Sequence, residues 1–513
     1  MRDHQGAIVQ LMGSMGLNRG GLTRAVYERT AFLGAQRPVV FASLNFQLDY
    51  DHVFSHVKAS DAIPQHARLE TFHDWAMRNG ATGSPSEDTP LFDLVESNAE
   101  FQTAVEVGDN GNRFERLFYH GKFIAMRSYD SSGALVSIDH HDPTHPWLIA
   151  YRDRYDAQGR VRVREHLAED FKPRFKTFFN HQGGAYLSHW VNGNGYEYRA
   201  VHFATKGVKQ YKDLRALHRQ WLKDLAKRVG PAVMFSDEPT TAFALNLSLP
   251  DWKLVGAIHT THYSNLVDYN GGHKGWVPHY TRAEGKTASL VFFTPSQAED
   301  FCTETGYDVS KTVVIPHAAP AQADVPAVHR DEHAFVVVSR LDRDKQVADA
   351  LKAFRIASAK KPFLRLHIYG SGPDEPSLRR LAAELEVSEG VVFHGFTSEP
   401  LAAFGSAAAF VMTSKYEGFG LVITESFAAG TPVLAYDVKY GPHDLVRTDA
   451  NGVLVEAGNI DQLADAMESV LSRSTWAKLS NGAVATAREF SRERWMHGWE
   501  NLTDHLLTGR EPR

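Results

Sequence analysis

"SKYEGFGLVITESFAAGTPVLAYD", residues 414–437, is the stretch on which the fold turns. It continues the apolar run "AFVMT", turns through Glu417-Gly418-Phe419-Gly420, and proceeds over 421–429 as an apolar helix. Gly430 and Pro432 stop that helix, and a second apolar run, "PVLAYD", follows. Strand, glycine turn, helix, strand is the repeating unit of a parallel α/β sheet. Two carboxylates stand inside it, Glu417 on the turn and Glu425 on the helix. Charged groups so close to apolar strands need partners to offset their desolvation.

The same rhythm extends upstream. Upstream of the stretch lie "AFVVVSRL", "RLHIYGSG" and "VVFHGF", with helical segments between them. An independent series opens the chain with residues 7–12, a glycine turn, a helix and "RPVVFASL", and resumes later with "AVMFSDEP", "KLVGAIHTTHYS", "ASLVFFTPS" and "TVVIPHAAP". Between the two halves of that first series, residues 98–203 change to strict alternation and turn signals. Tyr129 to Gly133 and Tyr155 to Gly159 spell one hairpin twice, which predicts an inserted antiparallel meander. A helix is predicted over 206–228, a linker over 319–333, and a last amphipathic helix after residue 489. The fold class is therefore α/β, with two Rossmann-like doubly wound domains and a β-rich insertion in the first. The boundaries read as 1–95 and 206–318 for the first domain, 96–205 for the insertion, 319–485 for the second domain and 486–513 for the terminal helix.

Composition narrows the function. A chain of 513 residues exceeds one hydrophobic core. Its 61 acidic against 55 basic residues, a net charge of −6, provide no field that would gather nucleic acid. The single cysteine, Cys302, excludes an intrachain disulfide and a thiolate metal cage, and fits a reducing cytoplasm. No signal peptide and no membrane-spanning run is expected.

In open parallel sheets ligands sit at the carboxyl ends of strands. Arg340 and Lys345 flank such a loop, where a guanidinium and an ammonium beside a helix start suit a diphosphate; the alternative is a solvated basic loop. Asp342 and Asp344 between them spell a two-aspartate metal motif, but basic neighbours favour an internally neutralised loop. Gly370 and Gly372 in "YGSGPD" allow close backbone approach to a nucleotide, or form a plain turn. "VVFHGF", 391–396, could offer backbone groups to a base. Gly418 and Gly420 expose amides at a helix start. Glu425 could accept two hydrogen bonds from a ribose diol and Glu417 could do the same for hexose hydroxyls, against a capping role and a solvent-facing one. His259 and His262 form an HxxH pair without a third ligand at a readable spacing, so no metal is expected there. Residues 139–145, "DHHDPTH", read as a polar turn. Lys206, Lys209 and Lys212 open a basic helical face that would suit a polyanionic acceptor, or is merely solvated.

Taken together, "SRLDRDK", "YGSGP" and Glu417 with seven residues intervening before Glu425 resemble family 4 of the retaining glycosyltransferases of GT-B fold, over about residues 334–475. "YDVKYGPHDLV" is similar to the bacterial enzymes that glycosylate wall teichoic acid, the poly(glycerol-phosphate) α-glucosyltransferases and their N-acetylglucosamine-transferring relatives. The resemblance implies a UDP-sugar donor, an acceptor hydroxyl on a polyol-phosphate polymer, and no metal or other cofactor. It implies Arg340 and Lys345 on the donor diphosphate, Glu425 on the ribose and Glu417 on the donor sugar, within a donor loop that also includes Gly418, Phe419, Gly420 and Leu421. Gly20 and Gly21 match the glycine loop near the donor phosphates. His259 matches the histidine near the reacting carbon, with His262 as the alternative or as an acceptor contact. It further implies a cytoplasmic protein working at the inner membrane face, and a homo-oligomer, such as a trimer, built through the insertion. A family 4 transferase for a protein-linked or capsular glycan, and a silent sugar-nucleotide-binding scaffold, are the competing readings.

Overall fold

The computed structural model describes residues 6–17, 21–80, 101–142, 144–266, 269, 272–282 and 287–509. Its first sheet has seven parallel strands in the order β17-β16-β15-β14-β1-β2-β3. These are β1 (Ala7–Met12), β2 (Val39–Ser43), β3 (Arg68–Thr71), β14 (Ala232–Ser236), β15 (Trp252–Ala257), β16 (Thr287–Phe292) and β17 (Thr312–Val314). The second sheet, also parallel, runs β20-β19-β18-β21-β22-β23. Its strands are β18 (Asp331–Val338), β19 (Arg365–Tyr369), β20 (Val391–Gly395), β21 (Ala407–Met412), β22 (Val433–Tyr436) and β23 (Gly452–Val455). The central strands β1, β2, β14 and β21 are buried along their whole length, which explains why they read as continuous apolar runs rather than as alternation.

A third sheet of ten antiparallel strands stands between β3 and β14 in the chain, from β4 (Phe101–Val107) to β13 (Gly207–Tyr211), each strand paired with its sequence neighbour. Its turns repeat one device. Asp130 Oδ1 accepts from the Ser132 and Ala134 amides, and Gly133, at φ 84°, donates to the Asp130 carbonyl. Asp156, Asn180 and Asn192 build the same turn with Gly159, Gly183 and Gly195. The hairpin that the sequence spells twice is thus used four times, with Asn in place of Asp in the last two. Asp142 likewise caps a polar turn, accepting from Thr144 and His145.

The helix expected over 206–228 is shorter, spanning Leu214–Val229. Gly207, at φ 103°, turns the chain into β13, and Asp213 in extended conformation caps the helix by accepting from the Ala216 amide. Lys206, Lys209 and Lys212 therefore lie on an exposed hairpin and its exit, not on a helical face. The last helix, Arg492–Thr508, crosses back to the first domain. Trp499 is buried against Phe235 of β14, Arg37 pairs with Asp504 at 2.5 Å, and Arg492 pairs with Glu28 at 2.7 Å.

Candidate functional site between the two parallel sheets

A cavity of about 340 Å³ opens where the carboxyl ends of β15, β18 and β21 meet the helix Gly21–Leu33. Lys345 and Glu417 both line it and pair at 2.5 Å, and Gly418, Phe419, Gly420 and Leu421 form one wall with Gly21 and His259 opposite. Gly420 occupies the left-handed region at φ 78° and caps the helix Leu421–Ala428, as a residue without a Cβ can. At Gly418 a Cβ would lie 2.0 Å from the His259 carbonyl oxygen, so the two domains touch there backbone to backbone. A Cβ on Gly21 would similarly meet Leu421 at 2.4 Å. Gly20 lies outside the described residues.

The cations differ in setting. Lys345 is mostly buried and pinned by Glu417, whereas Arg340 is three-quarters exposed and folds back on Asp342 at 2.7 Å. Asp342 also caps the Asp344 amide within the loop, and the Asp344 carboxylate accepts from the Tyr416 hydroxyl of the facing 414–420 turn, so both aspartates have protein partners. Gly370 and Gly372 do not line the cavity. They sit against protein backbone, where added Cβ atoms would meet the carbonyls of Ser339 and Leu341 at 1.7 and 2.2 Å. Close approach does explain these glycines, but what they approach is the loop carrying Arg340.

Glu425 is buried on its helix and pairs at 2.7 Å with Arg24, which projects from the first domain. This pair belongs to a second cavity of about 530 Å³, which shares Leu421 with the first and is bordered by Thr424, Ser398 and Glu399. The two glutamates of 414–437 thus mark neighbouring chambers, and both hold a cation.

The histidines of "HTTH" part company. His259 lines the first cavity, stacks on Phe293 at 4.2 Å between ring centres, and has its Nε2 2.9 Å from Asp237 Oδ1. His262 is fully buried and lines neither cavity. Asp237 follows β14 and was not singled out by sequence reasoning, although a carboxylate directly after a buried strand, in "AVMFSDEP", was the available signal. Its oxygens accept from Arg29 at 2.9 and 2.6 Å and from Gln10 at 3.0 Å. Burial pushes its carboxyl up, but the Arg29 guanidinium and the His259 contact outweigh that and hold it well below the usual carboxylate range. Arg29 itself lies over the rings of Phe235 and Trp499. The terminal helix therefore supports, through Trp499 and Arg29, the carboxylate that orients His259.

Lys206, Lys209 and Lys212 border neither cavity. Among the described residues no helix is long and apolar enough to cross a membrane.

Residues 320–490 match the family model described as glycosyl transferases group 1, and the chain carries such a domain there. Over nearly its whole length it is similar to curated proteins. It is 24% identical over 98% of its length to the poly(glycerol-phosphate) alpha-glucosyltransferase of Bacillus subtilis (strain 168), covering 76% of that protein. It is 21% identical over 96% of its length to the poly(ribitol-phosphate) alpha-N-acetylglucosaminyltransferase of Staphylococcus aureus (strain COL), covering 99% of it. Among solved structures, the crystal structure of TarM superposes with a TM-score of 0.80 at 22% identity, covering 98% of this chain and 99% of that one. A TarM mutant in complex with fondaparinux, α-GlcNAc-glycerol and UDP superposes at 0.78, with 21% identity over 97% of this chain and 100% of that one. The chain shares the α/β fold of these glycosyltransferases.

Proposed function

We propose that this protein is a retaining glycosyltransferase of GT-B type that moves glucose or N-acetylglucosamine from a UDP-sugar to a hydroxyl of a polyol-phosphate polymer such as wall teichoic acid. The observation that carries the reading is the convergence of Lys345, Glu417, the Gly418-Phe419-Gly420 turn and His259 on one cavity between two parallel sheets. The names of the similar proteins supply the donor and acceptor class.

In this reading the diphosphate lies at the start of the helix Leu421–Ala428, where the amides and axial dipole favour negative charge. Lys345 supplies the fixed cation, and Arg340, free to swing from Asp342, closes over the phosphates. Glu417 positions Lys345 with one oxygen and accepts sugar hydroxyls with the other. Glu425 takes the ribose hydroxyls in exchange for Arg24. The bond between the anomeric carbon and the diphosphate oxygen breaks, and the acceptor oxygen bonds to that carbon from the same face. The acceptor proton passes to the departing diphosphate. Charge grows on the leaving group, so preorganised cations and amides lower the barrier, and no metal is required for the step. His259, held by Asp237, contacts the sugar near the reacting carbon. The same proposal places the protein at the cytoplasmic face of the membrane as a homo-oligomer through its ten-stranded sheet, whose edge strand β4 exposes Val105 and Val107.

The test is release of UDP by the purified protein from several UDP-sugars, with and without poly(glycerol-phosphate) or poly(ribitol-phosphate). Acceptor-dependent release with one sugar, abolished by Lys345→Ala, is the expected result. Equal release from wild type and Lys345→Ala would overturn the donor site, and activity confined to a protein acceptor would overturn the acceptor class.

A further inference from the structure

Outside the two cavities, His262, His273 and Glu304 converge, each offering one ligand atom, and all three atoms lie within 4.8 Å of one another. Local structure brings them together. Tyr263 and His273 form an isolated antiparallel bridge, and the Lys274 amide donates to the His262 carbonyl at 2.8 Å, so both imidazoles project from one short ladder. Glu304 comes from the last turn of the facing helix, Pro295–Thr305. The His262 ring is locked between Tyr263, stacked at 4.3 Å, and Phe301, edge-on at 5.4 Å.

The His262 side chain is fully buried, yet its Nε2 has no hydrogen-bond partner and points at Glu304 Oε2, 3.6 Å away. Its Nδ1 faces the Tyr440 hydroxyl at 3.5 Å. With the proton on Nδ1, the Nε2 lone pair and the carboxylate oxygen are two acceptors facing each other, an arrangement that a cation between them resolves. His273 Nε2 lies 3.0 Å from the same Glu304 oxygen, and the Tyr263 hydroxyl donates to the other. Ligand atoms around a tetrahedral zinc ion stand about 3.3 Å apart, as follows from bond lengths of about 2.0–2.1 Å. The separations of 3.0 and 3.6 Å bracket that edge.

We propose that His262, His273 and Glu304 form a binding site for a divalent transition-metal ion, best suited to Zn²⁺, with three protein ligands and a fourth position open to solvent. Two imidazoles and one carboxylate select against Mg²⁺ and Ca²⁺, which prefer all-oxygen sets. The Tyr440 hydroxyl orients His262 from behind, as hydrogen-bonding partners of metal-bound histidines do. The ion would tie the segment holding His262 and His273 to the helix Pro295–Thr305. It would also brace the neighbouring loop, where the Tyr440 amide donates to the Glu417 carbonyl and the Glu417 amide to the Lys439 carbonyl. None of the three residues lines the donor cavity, so metal binding is read without the transfer reaction.

The experiment is a titration of the full-length, chelator-treated protein with Co²⁺, read by the visible absorption bands of tetrahedral Co²⁺, followed by displacement with Zn²⁺ and by thermal melts with each ion. One equivalent of Co²⁺ bound by wild type, displaced by Zn²⁺, with Tm raised by Zn²⁺ but not by Mg²⁺, is expected. Glu304→Gln and His273→Ala, both at partly exposed positions, should weaken Zn²⁺ binding at least about tenfold while leaving the near-UV circular dichroism unchanged. Absence of the bands in wild type, an equal response to Mg²⁺, or unaltered binding in both variants would overturn the assignment, and the wild-type titration decides even if a variant fails to fold.

Discussion

Each wall of the cleft centres on a carboxylate paired with a cation, and the two pairs are built for opposite purposes. Asp237 and Arg29 are both almost wholly buried, with Gln10, His259 and the rings of Phe235 and Trp499 completing their contacts. Glu417 and Lys345, and beside them Glu425 and Arg24, border open cavities and have few other partners. A buried ion pair survives desolvation only when its remaining hydrogen bonds are made, and so it behaves as a rigid unit. A pair at a cavity edge can exchange one partner for a ligand at little cost. In the proposed reaction the first wall orients and the second binds.

The largest effect should come from breaking the buried wall. Asp237→Asn leaves Arg29 uncompensated and should destabilise the fold by about 3–5 kcal/mol in denaturant titrations. A loss within about 1 kcal/mol, the scale of an exposed pair, would show that the two walls are alike after all. Next, Lys345→Ala should lower the transfer rate about 10²–10³-fold, equivalent to about 3–4 kcal/mol of lost transition-state stabilisation, with stability little changed. If instead the variant melts early and retains its rate, Lys345 belongs with the structural pair.

Acidity sharpens the contrast in another way. Asp237, depressed in the fold, retains its stabilising effect until the pH falls below its unfolded value of 3.8. Burial pushes His189 and His218 down to about 3 from 6.5, so both are neutral in the fold and take up protons only on unfolding. Stability therefore falls as pH drops from 6.5 towards 3, by about 1.4 kcal/mol per group for each pH unit. Melts between pH 7 and 5 should show Tm falling while the cleft network stays intact; a flat profile would place these histidines in solvent. The smallest effect is expected for Arg24→Ala, less than about 1 kcal/mol on stability, because Arg24 is largely exposed. In the proposed reaction it should leave KM for the donor unchanged or lower it, since Glu425 no longer exchanges a partner; a raised KM would make Arg24 a donor contact.

The strands of both parallel sheets were legible because buried strands must be apolar throughout, and the turn at 417–420 was legible because Gly420 needs a left-handed conformation. Asp130 and Asp156 advertised their hairpins, whereas Asn180 and Asn192 hid two more behind a different residue type with the same side-chain carbonyl. The basic residues at 206–212 misled, since a run of lysines at near-helical spacing fits an edge strand equally well once Gly207 turns the chain. His259 and His262 could not be told apart by spacing. Their roles depend on Asp237 in one case and on His273 and Glu304 in the other, all distant in sequence or without a motif.

By itself the sequence determined the periodicity of burial, the glycine turns and the presence of carboxylates and cations after strands, because these depend on local sterics and solvation. Only the tertiary structure decided which charge meets which. It paired Lys345 with Glu417, Arg24 with Glu425, and Arg29 with Asp237 under Trp499 of the returning helix. Those partners are 72, 401 and 208 residues apart, and pairing at such separation is set by how distant strands and helices pack, between the domains for Arg24 and Glu425 and within one domain for the other two pairs, rather than by any local preference of the chain.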